Sequence, residues 1–355
     1  MSERSQPRLT KGVATVSQLG EFDVIIDARS PGEYAEDHLP GALSCPVLSD
    51  EERARVGTLY KQDSPFAAKK IGAALVAKNI ARHIETQFQD KPKDWRPLVY
   101  CWRGGKRSGA FTHILREIGW DAHRLDGGYK SWRSQVIARL AELPPGFSWR
   151  VICGPTGSAK SRILEALARQ GAQVLHLEDL AAHKGSVLGN LPDAPQPAQK
   201  MFESRLLAAL LTFDVARPVF VEAESRRIGQ LQVPDALIFA IRAAPCLRID
   251  ASRPARTDFL LRDYDYFLSR PHWLSSQLGH LRELQSRETL DRWRSLIGAG
   301  DFRTLVDELL EKHYDPLYQR SQDRNYRYSD APGFSADDLS PAGIEAVAER
   351  LRATM

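Results

Sequence analysis

The sequence predicts two consecutive α/β domains, each built on a parallel sheet, followed by a mostly helical C-terminal region. Short apolar strands alternate with amphipathic helices along both halves of the chain, as parallel sheets require. The 355 residues are enough for two ordinary domains. A Pro-Pro-Gly run at 144–146 interrupts the pattern between the halves. We therefore expect a first domain at 1–143, a linker at 144–148, a second domain at 149–262 and the helical region at 263–355.

The composition indicates a soluble globular protein of the cytoplasm. Hydrophobic residues make up 43% of the chain, yet no run approaches the ~20 apolar residues of a membrane span. The polar N-terminus shows no secretory signal. The four cysteines are far apart and include no CxxC pair, which argues against a disulfide framework or a zinc site and for a reducing compartment; they are Cys45, Cys101, Cys153 and Cys246. All but Cys101 lie beside apolar residues and are expected in the core. A net charge of +4 permits nucleic-acid binding without establishing it.

The first domain is predicted from two buried strands and the helices that accompany them. Val24 to Ile26 and Leu98 to Tyr100 are short apolar runs typical of parallel strands. Residues 66–88 show helical spacing of their apolar side chains, and another helix is expected from Tyr129 to Leu143.

A cysteine loop follows the second of these strands and carries the main chemical signal of the domain. Cys101 precedes two glycines, which allow a tight turn with inward-facing N–H groups, and a helical pattern that begins at Ser108. A thiol at a helix N-terminus among cations is expected to react as a thiolate, and a buried structural cysteine is the alternative. The candidate catalytic residues are Cys101, Arg103 and Arg107, and the other loop residues are Trp102, Gly104, Gly105 and Lys106.

Three sequence blocks in this domain resemble the rhodanese family of sulfurtransferases over about residues 10–140. The blocks are Asp27 to Tyr34, His38 to Ala42 and Leu125 to Tyr129, with the cysteine loop between the last two. The resemblance implies that Cys101 carries sulfur or selenium as a persulfide or perselenide. Side chains in the first two blocks are expected to hold the domain together rather than to do chemistry; they are Asp27, Arg29, Glu33 and His38.

The second domain begins with a phosphate-binding motif. A strand at 149–153 leads into residues 154–161, which follow the GxxxxGK[ST] pattern of a P-loop and are followed by an amphipathic helix. Ala159 stands where the second glycine belongs, and its methyl either crowds a phosphate or is tolerated if its φ is negative. We therefore expect phosphate binding without efficient ATP hydrolysis. The candidate phosphate-binding residues are Gly154, Thr156, Gly157, Ser158, Lys160 and Ser161.

A second acidic strand end extends this candidate site. The apolar run 218–221 ends at Glu222, and Glu224 and Arg226 follow at the mouth of the predicted sheet. Two carboxylates and an arginine there suit a metal–phosphate site, and a surface salt-bridge cluster is the alternative. By analogy with nucleotide kinases, lid arginines are expected to close over the phosphates; the candidates are Arg253, Arg256 and Arg262.

The helical region is rich in arginine and aromatic residues late in the chain. Such side chains hold RNA by phosphate contacts and base stacking, and a solvated helix end is an equal alternative for each of them. The candidates are Tyr314, Tyr318, Arg320, Arg324, Tyr326, Arg327 and Tyr328. Residues 340–353 are predicted to form one short helix.

Taken together, the motifs and their order resemble the tRNA 2-selenouridine synthase family across nearly the whole chain. Further runs that carry this resemblance lie at 183–189, 196–203 and 222–226. The chain departs from the family pattern at Ala159 and at Lys184, where an arginine is expected.

The resemblance implies a two-step reaction at the wobble uridine of tRNA. Geranyl diphosphate would first S-geranylate 2-thiouridine, and selenium from selenophosphate would then displace the S-geranyl group through a perselenide on Cys101. It implies tRNA, bound by its anticodon arm, and selenophosphate synthase as partners. No tightly bound cofactor and no resident metal ligand are expected, and Mg²⁺ is a candidate companion of the diphosphate. Two alternatives stay open: a sulfurtransferase fused to a small-molecule kinase, and a redox-sensing nucleotide-binding protein.

Overall fold

The computed structural model describes residues 12–318, 325–326, 328 and 330–354. The chain divides into two compact units. Met1–Arg139 and the short segment Glu203–Arg205 form the first unit, and Leu140–Phe202 with Leu206–Met355 form the second. The α/β fold class predicted from the sequence is confirmed, because each unit contains a parallel sheet with helices packed against it.

In the described part of the first unit, five parallel strands form one sheet in the order β1-β5-β4-β2-β3. Its strands are β1 (Val13–Ala14), β2 (Val24–Asp27), β3 (Leu43–Ser44), β4 (Pro97–Tyr100) and β5 (His123–Leu125). Its helices are α1 (Pro31–Glu36), α2 (Asp50–Gln62), α3 (Pro65–His83), α4 (Lys106–Ile118) and α5 (Gly128–Glu142), the last of which runs to the unit boundary.

Apolar strands and capped helices explain why this unit folds as it does. All four residues of β4 are buried, as expected for a strand covered on both faces. Ile26 and Val99 of the sheet pack with Phe111 and Leu115 of α4 in one core. Ser49 caps α2 by accepting a hydrogen bond from the Glu52 N–H at 3.1 Å. The central strand β4 therefore delivers the residue that follows it, Cys101, to a fixed position.

The second unit has a parallel sheet in the order β12-β11-β6-β8-β7, again counted over the described residues. The strands are β6 (Trp149–Cys153), β7 (Gln173–Leu175), β8 (Val219–Glu222), β11 (Cys246–Asp250) and β12 (Gly333–Ser335), and β9 (Arg227–Ile228) pairs with β10 (Leu231–Gln232) in a separate hairpin. The helices are α6 (Lys160–Arg169), α7 (Leu177–Ala181), α8 (Gln199–Leu210), α9 (Asp235–Ala243), α10 (Arg253–Asp263), α11 (Asp265–Leu268), α12 (Pro271–Leu278), α13 (Arg287–Ala299), α14 (Phe302–Leu309) and α15 (Pro341–Arg352).

The C-terminal part of the chain returns to the phosphate-loop sheet, which the sequence did not predict. Strand β12 pairs with β11, and the predicted tail helix, present as α15, packs its apolar face on α6. Helices α11 to α14 form a separate apolar cluster around Trp293. The region predicted as helical therefore contributes both an edge strand and a helix cluster to the second unit.

The expectation that the cysteines form no disulfide framework is corrected at one pair. Cys153 and Cys246 are joined by a disulfide bond, although they are 93 positions apart in the sequence. Cys153 ends β6 and Cys246 begins the neighbouring parallel strand β11, and the register pairs Cys246 with Val151, two residues before Cys153. Their Cα atoms are 6.1 Å apart, a distance that a disulfide spans. Distance along the chain gave no sign of this pairing because neighbouring parallel strands are joined by long connections. Cys45 and Cys101 are free and buried.

No helix among the described residues is both long enough and apolar enough to cross a bilayer.

Candidate functional site

The cysteine loop joins the carboxyl end of β4 to the N-terminus of α4. Cys101 directly follows β4, Gly104 adopts the left-handed region at φ +63°, and α4 begins at Lys106, two residues before the start expected at Ser108. The Cys101 side chain is buried, and its Sγ lies 3.1 Å from the Ser108 Oγ in the first turn of α4. The thiol therefore lies where the positive end of a helix dipole favours an anion.

Backbone hydrogen bonds from the first residues of α5 hold this loop in place. The N–H of Tyr129 donates to the Cys101 carbonyl at 2.8 Å, and the N–H of Lys130 donates to the Trp102 carbonyl at 3.0 Å. Gly128 has φ +59°, and a Cβ there would overlap the Cys101 carbonyl oxygen. Gly128 is thus required because the backbone of α5 passes close to the backbone of the cysteine loop. The two hydrogen bonds from α5 fix the position of the loop.

The three cations of the loop have different surroundings. Arg107 donates two hydrogen bonds to the Glu33 carboxylate, at 2.6 and 3.2 Å, and so links α4 to α1. Burial would raise the pKa of Glu33, but the Arg107 guanidinium outweighs it and lowers that pKa to about 2. The charge of Arg107 is therefore matched by Glu33, and a role of Arg107 at the thiol stays a prediction. Arg103 and Lys106 are exposed, and no ion pair ties either of them within the described residues.

The residues expected to hold the first unit together lie beneath the loop. Asp27 and Arg29 form a fully buried ion pair at 2.6 Å, and the Tyr100 hydroxyl donates to the same carboxylate at 2.6 Å. His38 stacks on Tyr34 with ring centroids 3.8 Å apart. These contacts orient β4 and the chain before it, so they act on Cys101 only by positioning the strand that carries it.

The phosphate loop joins β6 to α6 in the second unit. Gly157 has φ +83°, and Ala159 has φ +59° and is buried. The positive φ of Ala159 excludes the possibility that this residue avoids strain through a negative φ. A residue with a side chain in the left-handed region carries a conformational cost of about 1–2 kcal/mol. The buried Ser158 hydroxyl has no hydrogen-bond partner within the described residues.

Lys160 lies inside the curl of this loop. Its Nζ donates to the Gly154 carbonyl at 2.8 Å and stands over the Tyr318 ring at 5.3 Å. Burial lowers the pKa of Lys160, while the charges of Glu178 and Glu224 act in the opposite direction. An arriving phosphate would offer the Lys160 ammonium an anionic acceptor in place of the neutral Gly154 carbonyl, and so a stronger hydrogen bond.

Carboxylates collect around Lys160 at the carboxyl end of the sheet. Ser161 donates to Glu178 Oε2 at 2.7 Å, and Glu222 Oε1 accepts the Glu178 N–H at 2.8 Å. Burial, followed by the charge of Glu178, raises the pKa of Glu222 to about 8 and that of Glu224 well above its ordinary value. An oxygen of Glu178 and one of Glu224 lie 2.6 and 2.5 Å from where a Cβ on Gly185 would be, so the two carboxylates face one point.

A polar cavity lies over the phosphate loop and receives both positive and negative side chains. Lys184, at the position where the family pattern has arginine, is 3.7 Å from Asp263 and 5.7 Å from the Tyr264 ring centroid. Residues of the loop, of the 184–186 segment and of α10 form its walls. The lining residues are Thr156, Gly157, Ser158, Ala159, Lys160, Ser161, Arg162, Glu178, Lys184, Gly185, Ser186, Ala223, Glu224, Ser225, Phe259, Leu260, Asp263, Tyr264, Tyr318 and Tyr326.

Several arginines expected to contact phosphate lie outside this cavity. Arg226 turns away from it, pairs with Asp235 at 3.2 Å and stands over the Phe239 ring. The three arginines expected to form a lid also lie outside the lining of this cavity, and their closure over phosphates stays a prediction. Arg256 is buried and binds Asp315 and the Thr156 carbonyl, whereas Arg253 pairs with Asp307 and Glu311, and Arg262 donates to the Leu339 carbonyl.

The described aromatic residues proposed for RNA stacking make contacts within the second unit, and their role in RNA binding stays a prediction. Tyr318 accepts the Gly154 N–H at 2.6 Å, and the buried Tyr326 donates to the Glu224 carbonyl at 2.7 Å. Tyr314 lines an apolar pocket, and Arg248 stands 5.7 Å from the Tyr328 ring centroid. The remaining candidates lie outside the described residues; they are Arg320, Arg324 and Arg327.

The sequence analysis missed Glu178 and assigned Tyr318 to a different role. Glu178 follows β7, a strand of only three residues. A carboxylate after a short apolar run was a weak signal for Glu178, because the carboxyl ends of parallel strands share one sheet edge. Tyr318 was named only as a candidate for RNA contact, and nothing in the sequence placed it beside Gly154, which lies 164 residues earlier.

Oxygen donors that suit a hard cation are present, although no preformed site is. Glu178, Glu224 and Ser161 offer oxygen atoms of the kind that Mg²⁺ binds. Within the described ranges, no group of three or more His, Cys, Asp or Glu side chains has the geometry of a metal site. The arrangement fits an ion that arrives with a phosphate ligand, since Mg²⁺ commonly uses one or two carboxylates plus substrate oxygens.

Comparison with known proteins identifies two consecutive domains. Residues 14–135 match the rhodanese-like domain family. Residues 147–270 match the family described as the tRNA 2-selenouridine synthase AAA domain.

Several full-length relatives are similar to this chain. The tRNA 2-selenouridine synthase of Nitrosomonas europaea is 37% identical over 244 residues, covering 68% of this chain and 63% of that protein. The protein of the same description from Nitrosomonas eutropha is 30% identical over 345 residues, covering 84% of this chain and 88% of the relative. The one from Alcanivorax borkumensis is 32% identical over 323 residues, covering 83% and 88% respectively.

Proposed function

Because the chain belongs to the tRNA 2-selenouridine synthase family, we propose that it is an enzyme that modifies the wobble uridine of tRNA, exchanging the sulfur of 2-thiouridine for selenium. The observation that carries this proposal is the presence, in one chain, of two strand–loop–helix anion sites of different chemistry. One presents a thiol at a helix N-terminus, and the other presents a lysine among carboxylates.

The first step is S-alkylation of 2-thiouridine by geranyl diphosphate. The sulfur of the nucleoside attacks the allylic carbon, the carbon–oxygen bond breaks, and inorganic diphosphate leaves. Alkylation converts a poor leaving group at C2 into a good one, a thiol. The part of the protein that this step requires is a cradle for the departing diphosphate, and the phosphate loop with Lys160 supplies it.

The site favours holding a diphosphate over hydrolysing ATP. Ala159 places a methyl beside the position where P-loop glycines let phosphate oxygens approach the backbone. The raised pKa of Glu222, about 8, keeps this carboxyl mostly protonated at neutral pH, so it is a poor base for activating water. Mg²⁺, bound with the diphosphate through Glu178, Glu224 or Ser161, would neutralise charge on the leaving group. We therefore propose slow or absent ATP turnover.

The second step delivers selenium through the first unit. The outer selenium of the Cys101 perselenide attacks C2 of the S-geranylated uridine, and geranyl thiol leaves. Two external thiols then reduce the S–Se bond that joins the nucleoside to Cys101, which releases 2-selenouridine and the free cysteine and forms one disulfide. Cys101 is the proposed carrier, because its sulfur lies 3.1 Å from the Ser108 hydroxyl in the first turn of α4, in a loop that also carries Arg103 and Lys106. Selenophosphate is the proposed donor, and selenophosphate synthase is the proposed partner that supplies it.

The balance of electrons in this step defines a direct test. Selenophosphate holds selenium at the level of selenide, so thiolate attack on selenium leaves the electron pair of the P–Se bond on phosphorus. A Cys101 perselenide formed in this way releases phosphite. If ³¹P NMR of single-turnover mixtures shows phosphate instead, selenium reaches the nucleoside as selenide and Cys101 serves only to position the donor.

The function itself is tested by the nucleosides that cells contain. Deletion of the gene should abolish 2-selenouridine at the wobble position, measured by mass spectrometry of tRNA hydrolysates, and expression of this chain should restore it. Unchanged wobble nucleosides after deletion, with no tRNA bound to the purified protein, would favour a sulfurtransferase fused to a small-molecule kinase. An inert Cys101 would favour the redox-sensing alternative.

A further inference from the structure

An apolar pocket lies beside the polar cavity of the second unit. Helices α10, α11, α12 and α14, together with the π-helical turn Leu310–Tyr314 that extends α14, form most of its walls. Apart from two small hydroxyl-bearing residues and two tyrosines, its lining is hydrocarbon. The lining residues are Thr156, Ser186, Leu188, Leu260, Leu261, Tyr264, Phe267, Leu268, Leu274, Phe302, Leu305, Val306, Leu309, Leu310 and Tyr314.

The apolar pocket and the polar cavity are adjacent and share part of their walls. Thr156, Ser186, Leu260 and Tyr264 line both of them. Leu260 also packs directly against Gly157 of the phosphate loop, because a Cβ placed on Gly157 would lie only 2.9 Å from the Leu260 Cδ1. A ligand whose phosphates occupied the loop would therefore meet hydrocarbon walls immediately beyond its head group.

The pocket is built into a well-packed part of the molecule. Leu305 and Leu309 of α14 belong to the apolar cluster around Trp293, which is fully buried. The π-helical turn widens the backbone where Leu310 and Tyr314 reach the pocket, and such turns concentrate at functional sites because they interrupt regular packing. An apolar pocket beside a phosphate loop, lined in part by a π-helical turn, indicates a ligand site.

We propose that this pocket binds the hydrocarbon chain of the prenyl diphosphate while the phosphate loop binds its head. The inference rests on the proposed function, because it assigns the second part of the same donor. The two phosphates of such a ligand suit the loop that carries Lys160, and its branched ten-carbon tail suits the adjoining leucine-lined pocket. Each methylene that leaves water for such walls tightens binding by about four-fold.

Binding to the full-length protein, measured by calorimetry with Mg²⁺ present, tests the assignment. The probes are inorganic pyrophosphate, dimethylallyl diphosphate and geranyl diphosphate. The wild-type protein should bind geranyl diphosphate at least about ten-fold more tightly than the five-carbon analogue. Val306 is half-buried in the pocket wall, and Val306→Trp should fill the pocket. We expect this variant to bind geranyl diphosphate at least about ten-fold more weakly than the wild type, and to bind pyrophosphate with an affinity within about two-fold of the wild type.

Val215→Trp is the matched control, because Val215 is 62% exposed and does not line the pocket. Equal affinity for geranyl diphosphate in both tryptophan variants would overturn the pocket and leave the proposed function standing. Failure of the wild-type protein to bind either pyrophosphate or geranyl diphosphate would overturn both. If Val306→Trp does not fold, a photoreactive geranyl diphosphate on the wild-type protein decides: labelled peptides within 260–268 or 302–314 support the assignment, and labels elsewhere contradict it.

Discussion

Cys101 and Lys160 occupy equivalent places in two different sheets, and their surroundings differ sharply. Each lies between the carboxyl end of a central parallel strand, β4 or β6, and the first turn of the next helix. Each loop curls through a glycine with positive φ, Gly104 in one and Gly157 in the other. The backbone thus provides the same anion cradle twice.

Neighbouring charges separate the chemistry of the two loops. Beside Cys101, the carboxylate of Glu33 is matched by Arg107, which leaves Arg103 and Lys106 as unmatched cations at an exposed rim. Around Lys160, buried carboxylates outnumber the lysine, and two of them have raised pKa values. The first loop suits a covalently held anion on sulfur. The second loop suits a diphosphate that arrives with Mg²⁺, because Lys160 can contact the phosphates and the carboxylates can contact the cation.

The largest expected effect is at Cys101. Cys101→Ser should abolish 2-selenouridine and let S-geranyl-2-thiouridine accumulate, because selenium loses its carrier while the diphosphate site is untouched. Mass spectrometry of wobble nucleosides measures both products. Cys45→Ala is the control, since Cys45 is buried and burial raises its pKa to about 12, which leaves it unreactive. Undiminished 2-selenouridine in Cys101→Ser would refute the carrier role.

Lys160→Ala tests whether the two loops fail independently. Loss of one charge-assisted contact removes about 1.5–3 kcal/mol, or roughly ten- to hundred-fold in diphosphate affinity. We therefore expect plain 2-thiouridine to remain, with no S-geranyl intermediate. Lys78→Ala, on the exposed face of α3, should behave as wild type. If Lys160→Ala and Cys101→Ser stop at the same nucleoside, the two loops share one chemical step.

The buried carboxylates predict an unusual pH dependence for the ligand-free protein. Between the ordinary pKa of 4.5 and its raised value of about 8, folded Glu222 keeps a proton that the unfolded chain has lost. The free energy of unfolding should therefore fall as pH rises through this range and level off above it. Urea unfolding from pH 5 to 9 should show a smaller slope in Glu222→Gln and an unchanged one in the exposed Glu349→Gln. A pH-independent difference between Glu222→Gln and wild type would contradict the raised pKa.

The two arginines of the cysteine loop should separate into a structural and a chemical one. Arg107→Ala and Glu33→Ala should each destabilise the protein, and a double-mutant cycle should give a coupling of about 1 kcal/mol. Arg103→Ala should leave unfolding unchanged and slow selenation, because its side chain is exposed at the rim of the loop. A selenation defect in Arg107→Lys, with wild-type stability, would return Arg107 to the chemistry.

Ala159→Gly should have the smallest effect. Removing a methyl held at φ +59° relieves about 1 kcal/mol of strain, largely offset by the greater freedom of glycine in the unfolded chain. We expect stability to change by only tenths of a kcal/mol, and pyrophosphate to bind more tightly. Ala182→Gly relieves a similar strain, at φ +48°, away from the loop. Equal tightening of pyrophosphate binding in both variants would show that the Ala159 methyl does not limit the approach of phosphate. Robust ATPase activity in the wild-type protein, if Lys160→Ala abolished it, would restore the ordinary P-loop interpretation.

The sequence by itself determined the α/β fold, the buried strands that end at Tyr100 and Cys153, and both loops, because local patterns of apolar residues, glycines and lysine specify these features. The tertiary structure alone decided which charges meet. It matched Arg107 with Glu33, removed Arg226 from the cavity and brought Glu178 and Tyr318 to the phosphate loop. Pairing of this kind depends on which strand ends and helix faces become neighbours, and a parallel sheet sets those neighbours through connections too long for local sequence to encode.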